Sequence, residues 1–210
     1  IDGLPLPMSP NQDTTLSEAY LKKYPVKSMG QSGELIAEKW GFTRDELDEF
    51  AINSHKKAFA AQEAGYFDKE IVGVETPSFG TVTKDEGIRS SVDREKMKTL
   101  PTPFKDDGVV TAANASQITD GAAAVLLASK EALEKHNLKA RAKIIKTHLC
   151  AVDPVIQLTG PIPAIKGVLE KTGLSLDDID LFEINEAFAS VVMATQKDLN
   201  IPEEKINVNG

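Results

Sequence analysis

The side chains that most often carry covalent or metal chemistry are sparse in this sequence, which has one cysteine and three histidines. Cys150 lies in the apolar run from Ile144 to Val152, where a free cysteine behaves as a small core residue and not as a nucleophile. His55, His136 and His148 stand apart, with no second ligand at metal spacing, so no metal site is expected. What remains are groups that bind and position. Asn185 is foremost among them, because it follows an acidic, apolar stretch over 179–184 that reads as a strand and precedes a helical pattern. Functional residues gather just past the carboxyl ends of such strands, and an asparagine before a helix is also a favoured N-cap. Both readings stand on the residues alone. Glu186, beside it, suits the positive end of a helix dipole.

These residues need a frame. Residues 1–27, rich in Pro, Ser and Thr, read as an irregular segment resting on something larger. Helices are predicted over 32–41 and 43–65. In the second, Thr43 and Glu46 make a capping box, Leu47, Phe50, Ala51, Ala58 and Ala61 recur at helical spacing, and Gly65 provides the stop. Residues 69–110 mix a short strand candidate, 70–74, with glycine turns and charges. After Thr111 small residues dominate as far as Ala124, which implies close backbone packing, and Ser129 caps a helix after the apolar run 125–128.

The remainder alternates: strand 142–149, helix 163–172 ended by Gly173, strand 179–184, helix 186–199, strand 205–208. Strands separated by helices of this length predict an α/β chain with a layered βαβ sheet. No helix follows the last strand to cover the sheet, so more chain is expected beyond Gly210. The formal net charge of −8 argues against nucleic acid or an anionic membrane as the main partner, although a local basic patch could still hold a phosphate-bearing ligand. Apolar stretches fall short of the ~20 residues of a membrane-spanning helix. A lone cysteine forms no internal disulfide, which fits a reducing compartment.

The segment Glu183-Ile184-Asn185-Glu186-Ala187-Phe188-Ala189 resembles the Asn-Glu-Ala-Phe motif of the thiolases, and it follows the acidic apolar strand expected there. The run from Gly108 to Ala124 is similar to the family's Thr-Ala-Gly-Asn-Ala-Ser and Asp-Gly-Ala-Ala stretch. Val152-Asp153-Pro154 with Gly160-Pro161-Ile162-Pro163-Ala164, the helical segment Glu34 to Phe50 and the closing Val208-Asn209-Gly210 carry the resemblance over nearly the whole chain. It implies a coenzyme-A-dependent acyltransferase that condenses two acyl-CoA molecules, or cleaves a 3-ketoacyl-CoA with CoA, through a cysteine thioester. It places the nucleophilic cysteine before Ile1, and the Gly-His-Pro histidine and a second cysteine after Gly210, so that this chain alone would be inactive. It further implies acyl-CoA and CoA as substrates with no tightly bound cofactor, the rest of the thiolase polypeptide as partner, and a homodimer or homotetramer. A cytoplasmic location goes with these traits, with an organelle as the alternative.

By the same resemblance, Asn185 holds a water that donates to a developing oxyanion, a type of contact typically worth roughly 3 kcal/mol in the transition state. Ser116 would bond the pantetheine arm, and Ala112 would line the same channel, where only a small residue lets a ligand run against backbone. Ala187 and Phe188 would lie beside the pantetheine and acyl pocket. Arg89 would sit near the CoA nucleotide, a partner that suits a guanidinium. Ser28-Met29-Gly30 stands where many thiolases have His-Met-Gly, so a shorter hydroxyl replaces the CoA-contacting imidazole at residue 28. The implied domains are a mainly helical loop domain over 1–111, the end of the N-terminal half over 112–138 and the start of the C-terminal half over 139–210. A second reading, from a different class, is a noncatalytic CoA-binding or assembly module derived from a thiolase.

Overall fold

Helices carry most of the regular structure in the computed structural model, which describes residues 17–210. Of the segment read as irregular, residues 1–16 lie outside the described residues, and the rest includes a short helix α1, Glu18–Lys23, capped by Ser17. Helix α2, Met29–Trp40, starts ahead of its predicted position because Ser28 and Gln31 form a capping box; it stops at Gly41 in the left-handed region. Helix α3, Arg44–Glu63, has the predicted box, with Thr43 and Glu46 bonded reciprocally, and the predicted stop at Gly65, whose φ is 71°.

The strand candidate at 70–74 begins later than expected. The amides of Glu70 and Ile71 are taken by the carbonyl of Phe67, so turns fill that stretch, and the hairpin pairs β1, Val74–Thr76, with β2, Gly80–Val82. A short helix α4, Arg94–Lys98, follows. Ser129 caps α5, Lys130–Lys135, as predicted, and α6, Pro161–Thr172, ends at Gly173 as predicted, with proline suiting its first turn.

Helix α7, Ala189–Leu199, starts later than the sequence suggests, and Phe188 is its N-cap in an extended conformation. The cause is a competing pairing. Ala115 and Phe188 form an antiparallel bridge in which the Ser116 amide donates to the Ala187 carbonyl and the Ala189 amide to the Asn114 carbonyl. Asn185 therefore caps no helix, and Glu186 lies before the first turn.

The β1–β2 hairpin is the one sheet among the described residues. The stretches 179–184 and 205–208 meet in parallel as predicted, but as a single bridge between Phe182 and Ile206, with a 3₁₀ turn at Glu203–Lys205. The stretch 142–149 forms no ladder; none of its amides or carbonyls bonds to the backbone of another described segment, and Ile144, Ile145 and Leu149 are exposed. Val125, Leu126 and Leu127 are exposed too.

The core gathers around α7. Val191, Val192 and Ala194 are buried against Ile36 of α2, Ile162 of α6 and the strand residues Phe182 and Ile184, while Ala189 meets Ala37 and Leu47. Trp40 ties α2 to α7 through Nε1, which donates to Asp198 at 2.7 Å. At the other end of α2, Gly30 faces the Phe104 ring so closely that a methyl group would overlap it. Gly30→Ala is therefore expected to destabilise the protein by roughly 1–3 kcal/mol through overpacking. Gly160→Ala, where a methyl group meets nothing, should stay within about 0.5 kcal/mol of the parent. Urea unfolding of both variants checks the contrast.

Candidate functional site

The site begins with a buried amide. Asn114 is 3% exposed; its Oδ1 accepts from the Thr111 amide at 2.9 Å, and its Nδ2 donates to Asp48 Oδ1 at 2.8 Å and to the Val109 carbonyl at 3.0 Å. Asp48 takes its second hydrogen bond from Arg44 Nε at 2.8 Å, and the same guanidinium donates to the Met97 carbonyl at the end of α4. One line of charge-assisted bonds thus joins α3, α4 and the small-residue loop 111–117. Beneath it, Glu34 of α2, 4% exposed, accepts from the amides of Val109 and Val110 and so fixes the start of the loop.

Between these elements lies a cavity of about 580 Å³. Ala112 and Ser116 form part of its wall, and Arg89, His55 and Lys96 line it as well. The exposed Ala112 presents little more than backbone to the opening. The ammonium of Lys96 and the guanidinium of Arg89 form no ion pair among the described residues, so two cations are available to a ligand. The Arg89 amide donates to His55 Nδ1 at 3.3 Å. Burial, followed by the Arg89 charge, holds the His55 imidazole below its ordinary value, while Glu186 opposes the shift.

Sequence reasoning named Ala112, Ser116 and Arg89, and the structure brings these three together. Glu186 joins them, its carboxylate gripped by Ser54 and Asn207. Burial, with the Glu186 charge adding to it, raises Glu183 on the same segment. Asn185 is exposed and does not line this cavity; the segment 185–186 sends its two side chains to different places. Ala187 and Phe188 do not line it either. Phe188 is buried, its ring edge-on to Phe104 at 6.3 Å, and the half-buried Ala187 packs in the same apolar cluster. Ser28 and Met29 open α2 away from the cavity, with the Ser28 hydroxyl engaged by Gln31 and Met29 exposed. His55, Lys96 and Glu186 went unnamed as cavity residues.

Fold and site together define an α/β chain with a pocket, fitted with cations, beside a loop that crosses an asparagine-bearing segment. Residues 1–131 match the family described as thiolase, N-terminal domain, and residues 138–210 match thiolase, C-terminal domain. The chain belongs to the thiolase family. It is 50% identical over 199 residues to a steroid 3-ketoacyl-CoA thiolase of Mycobacterium tuberculosis, an alignment covering 94% of this chain and 48% of that protein. The human mitochondrial 3-ketoacyl-CoA thiolase solved in complex with CoA superposes with a TM-score of 0.82 at 43% identity, over 87% of this chain and 46% of that one. The dimeric peroxisomal thiolase of Saccharomyces cerevisiae gives a TM-score of 0.86 at 39% identity, over 92% and 51%. The chain thus carries part of the thiolase fold and spans about half the length of the relatives it matches. No helix among the described residues is long and apolar enough to cross a membrane.

A depressed imidazole makes stability depend on pH in a definite direction. The unfolded chain takes up the His55 proton first, so the stability that neutral His55 contributes is present above about pH 6.5 and is lost as pH falls toward the folded-state value. His55→Gln should flatten the acid side of the stability profile below about pH 6.5. Urea titrations across that range would show it, and parallel slopes in the two proteins would rule it out.

Proposed function

We propose that this chain is part of an acyl-CoA C-acyltransferase that condenses two acyl-CoA molecules or cleaves a 3-ketoacyl-CoA with CoA, and that the cavity takes the CoA. The observation that carries the reading is the pairing of loop 112–117 with segment 186–189, which sets a cation-lined pocket next to Asn185. Ala112 and Ser116 would form the side of the channel that faces the pantetheine arm. Arg89 and Lys96 would meet the phosphates of the nucleotide end, where cation-to-phosphate hydrogen bonds are strong. Ala187 and Phe188 would set the boundary of the acyl pocket from behind. Ser28 and Met29 keep a proposed place on the ligand's path, although the Ser28 hydroxyl already serves α2.

Asn185 would hold the water that donates to the oxyanion. Its amide is exposed and free of capping duty, which favours this role over the structural one. The nucleophilic cysteine and its histidine partner would come from the rest of the polypeptide, with residues 1–111 as loop domain and 112–138 and 139–210 as pieces of the two halves. Assembly as a homodimer or homotetramer and a cytoplasmic location belong to the same proposal. Relatives named as mitochondrial and peroxisomal support an organelle as the alternative.

Two measurements on the complete polypeptide test it. Arg89→Ala and Lys96→Ala should each raise KM for CoA roughly tenfold, about 1.4 kcal/mol. Neither should affect a pantetheine thiol that lacks the nucleotide, and an equal effect on both acceptors would place the cations elsewhere. Asn185→Ala should lower kcat by roughly 10²–10³ with KM nearly unchanged, as expected for a contact stronger in the transition state. Near-normal turnover in Asn185→Asp would remove the oxyanion role.

A further inference from the structure

Asn207 is 2% exposed, and its side-chain amide is fully engaged. Oδ1 accepts from the Ile184 amide at 2.8 Å, and Nδ2 donates both to the Ile184 carbonyl at 2.9 Å and to Glu186 Oε1 at 2.7 Å. A side chain that closes both backbone groups of one residue imitates a neighbouring strand. The other oxygen of Glu186 accepts from Ser54 Oγ of α3 at 2.6 Å. The residues on either side of Asn185 are therefore held, Ile184 by its backbone and Glu186 by its carboxylate.

Strand pairing alone does not require this. The parallel bridge at Phe182 already joins the two stretches, with the Asn207 amide donating to the Phe182 carbonyl at 2.9 Å. The bond to Glu186 adds nothing to that ladder and reaches past Asn185 to its far side. Asn207 also sits at φ 42°, a left-handed conformation that asparagine and aspartate tolerate and most residues avoid. Its type thus answers two demands at once.

We infer that Asn207, through Ile184 and Glu186, is a positioning residue that fixes the direction of the Asn185 amide. This rests on the role proposed above for Asn185. It makes Glu186 a structural brace on the wall of the ligand cavity.

The test uses the complete polypeptide. Asn207→Asp keeps the acceptor for the Ile184 amide and the tolerance of positive φ, but loses both donations and sets a carboxylate against Glu186. It should lower kcat roughly 10–100-fold, the scale of a small misplacement of a reacting group, with KM for CoA unchanged. In an Asn185→Ala background the same substitution should cost less than about twofold, because its route to the chemistry is gone. Pairing it with Glu186→Gln restores a donor between positions 186 and 207 and should recover at least about threefold of the loss. An equal loss with and without Asn185, or a loss that only tracks the folded fraction by circular dichroism, overturns the inference. So does a slow Asn185→Ala beside a normal Asn207→Asp, an outcome that leaves the role of Asn185 standing. A normal Asn185→Ala removes that role and the inference with it. Should Asn207→Asp fail to fold, Ser54→Ala frees the other Glu186 oxygen; it should slow turnover several-fold only when Asn185 is present, and an unchanged kcat would overturn the inference.

Discussion

The short antiparallel bridge between Ala115 and Phe188 is the constraint on which the rest of the site depends. It delays the start of α7, so that Phe188 is extended and residues 185–187 stay outside the helix where they would otherwise coil. It also brings the small-residue loop against the segment that carries Asn185. Two backbone bonds would be a weak joint on their own, since a typical one contributes about 1 kcal/mol net. Their partners on both sides are immobilised by buried and half-buried polar groups. Asn114 and Glu34 secure the loop, and Asn207 with Ser54 secures the other segment. Each of these groups has its hydrogen bonds satisfied, the condition under which buried polarity rigidifies a structure and does not weaken it.

Helices were legible in the sequence because their signals are local. The Thr43 capping box, the cap at Ser129 and the stops at Gly65 and Gly173 all reappear where the pattern puts them. Strands were less so, because a strand is completed by another part of the chain. The stretch 142–149 has the composition of one but forms no ladder with any described segment. The late start of α7 belongs to the same class of error: helical periodicity runs through Glu186, and nothing nearby in sequence announces that residue 115 will claim Phe188.

The site was half visible for a related reason. Motif resemblance pointed to Ala112, Ser116 and Arg89, which do share a cavity, and to Asn185, which stands outside it. His55, on α3, reaches the cavity only through tertiary folding. Ser28 shows the opposite case. Its hydroxyl is consumed by a capping box, a role that its position before Met29-Gly30-Gln31 made readable from the sequence.

The unpaired apolar stretches around 125–127 and 144–149 bear on how the molecule reaches its final form. The α2–α7 core closes by burying helical faces, whereas these stretches hold apolar side chains against solvent. A closed core beside exposed apolar stretches is the combination that makes the intermediates of larger proteins prone to aggregate while folding. Encounters between two such molecules grow with concentration, and burial of the helical faces within one molecule does not. Yield on refolding should therefore be governed by dilution and by helper proteins that shield apolar surface, more than by the intrinsic stability of the helices.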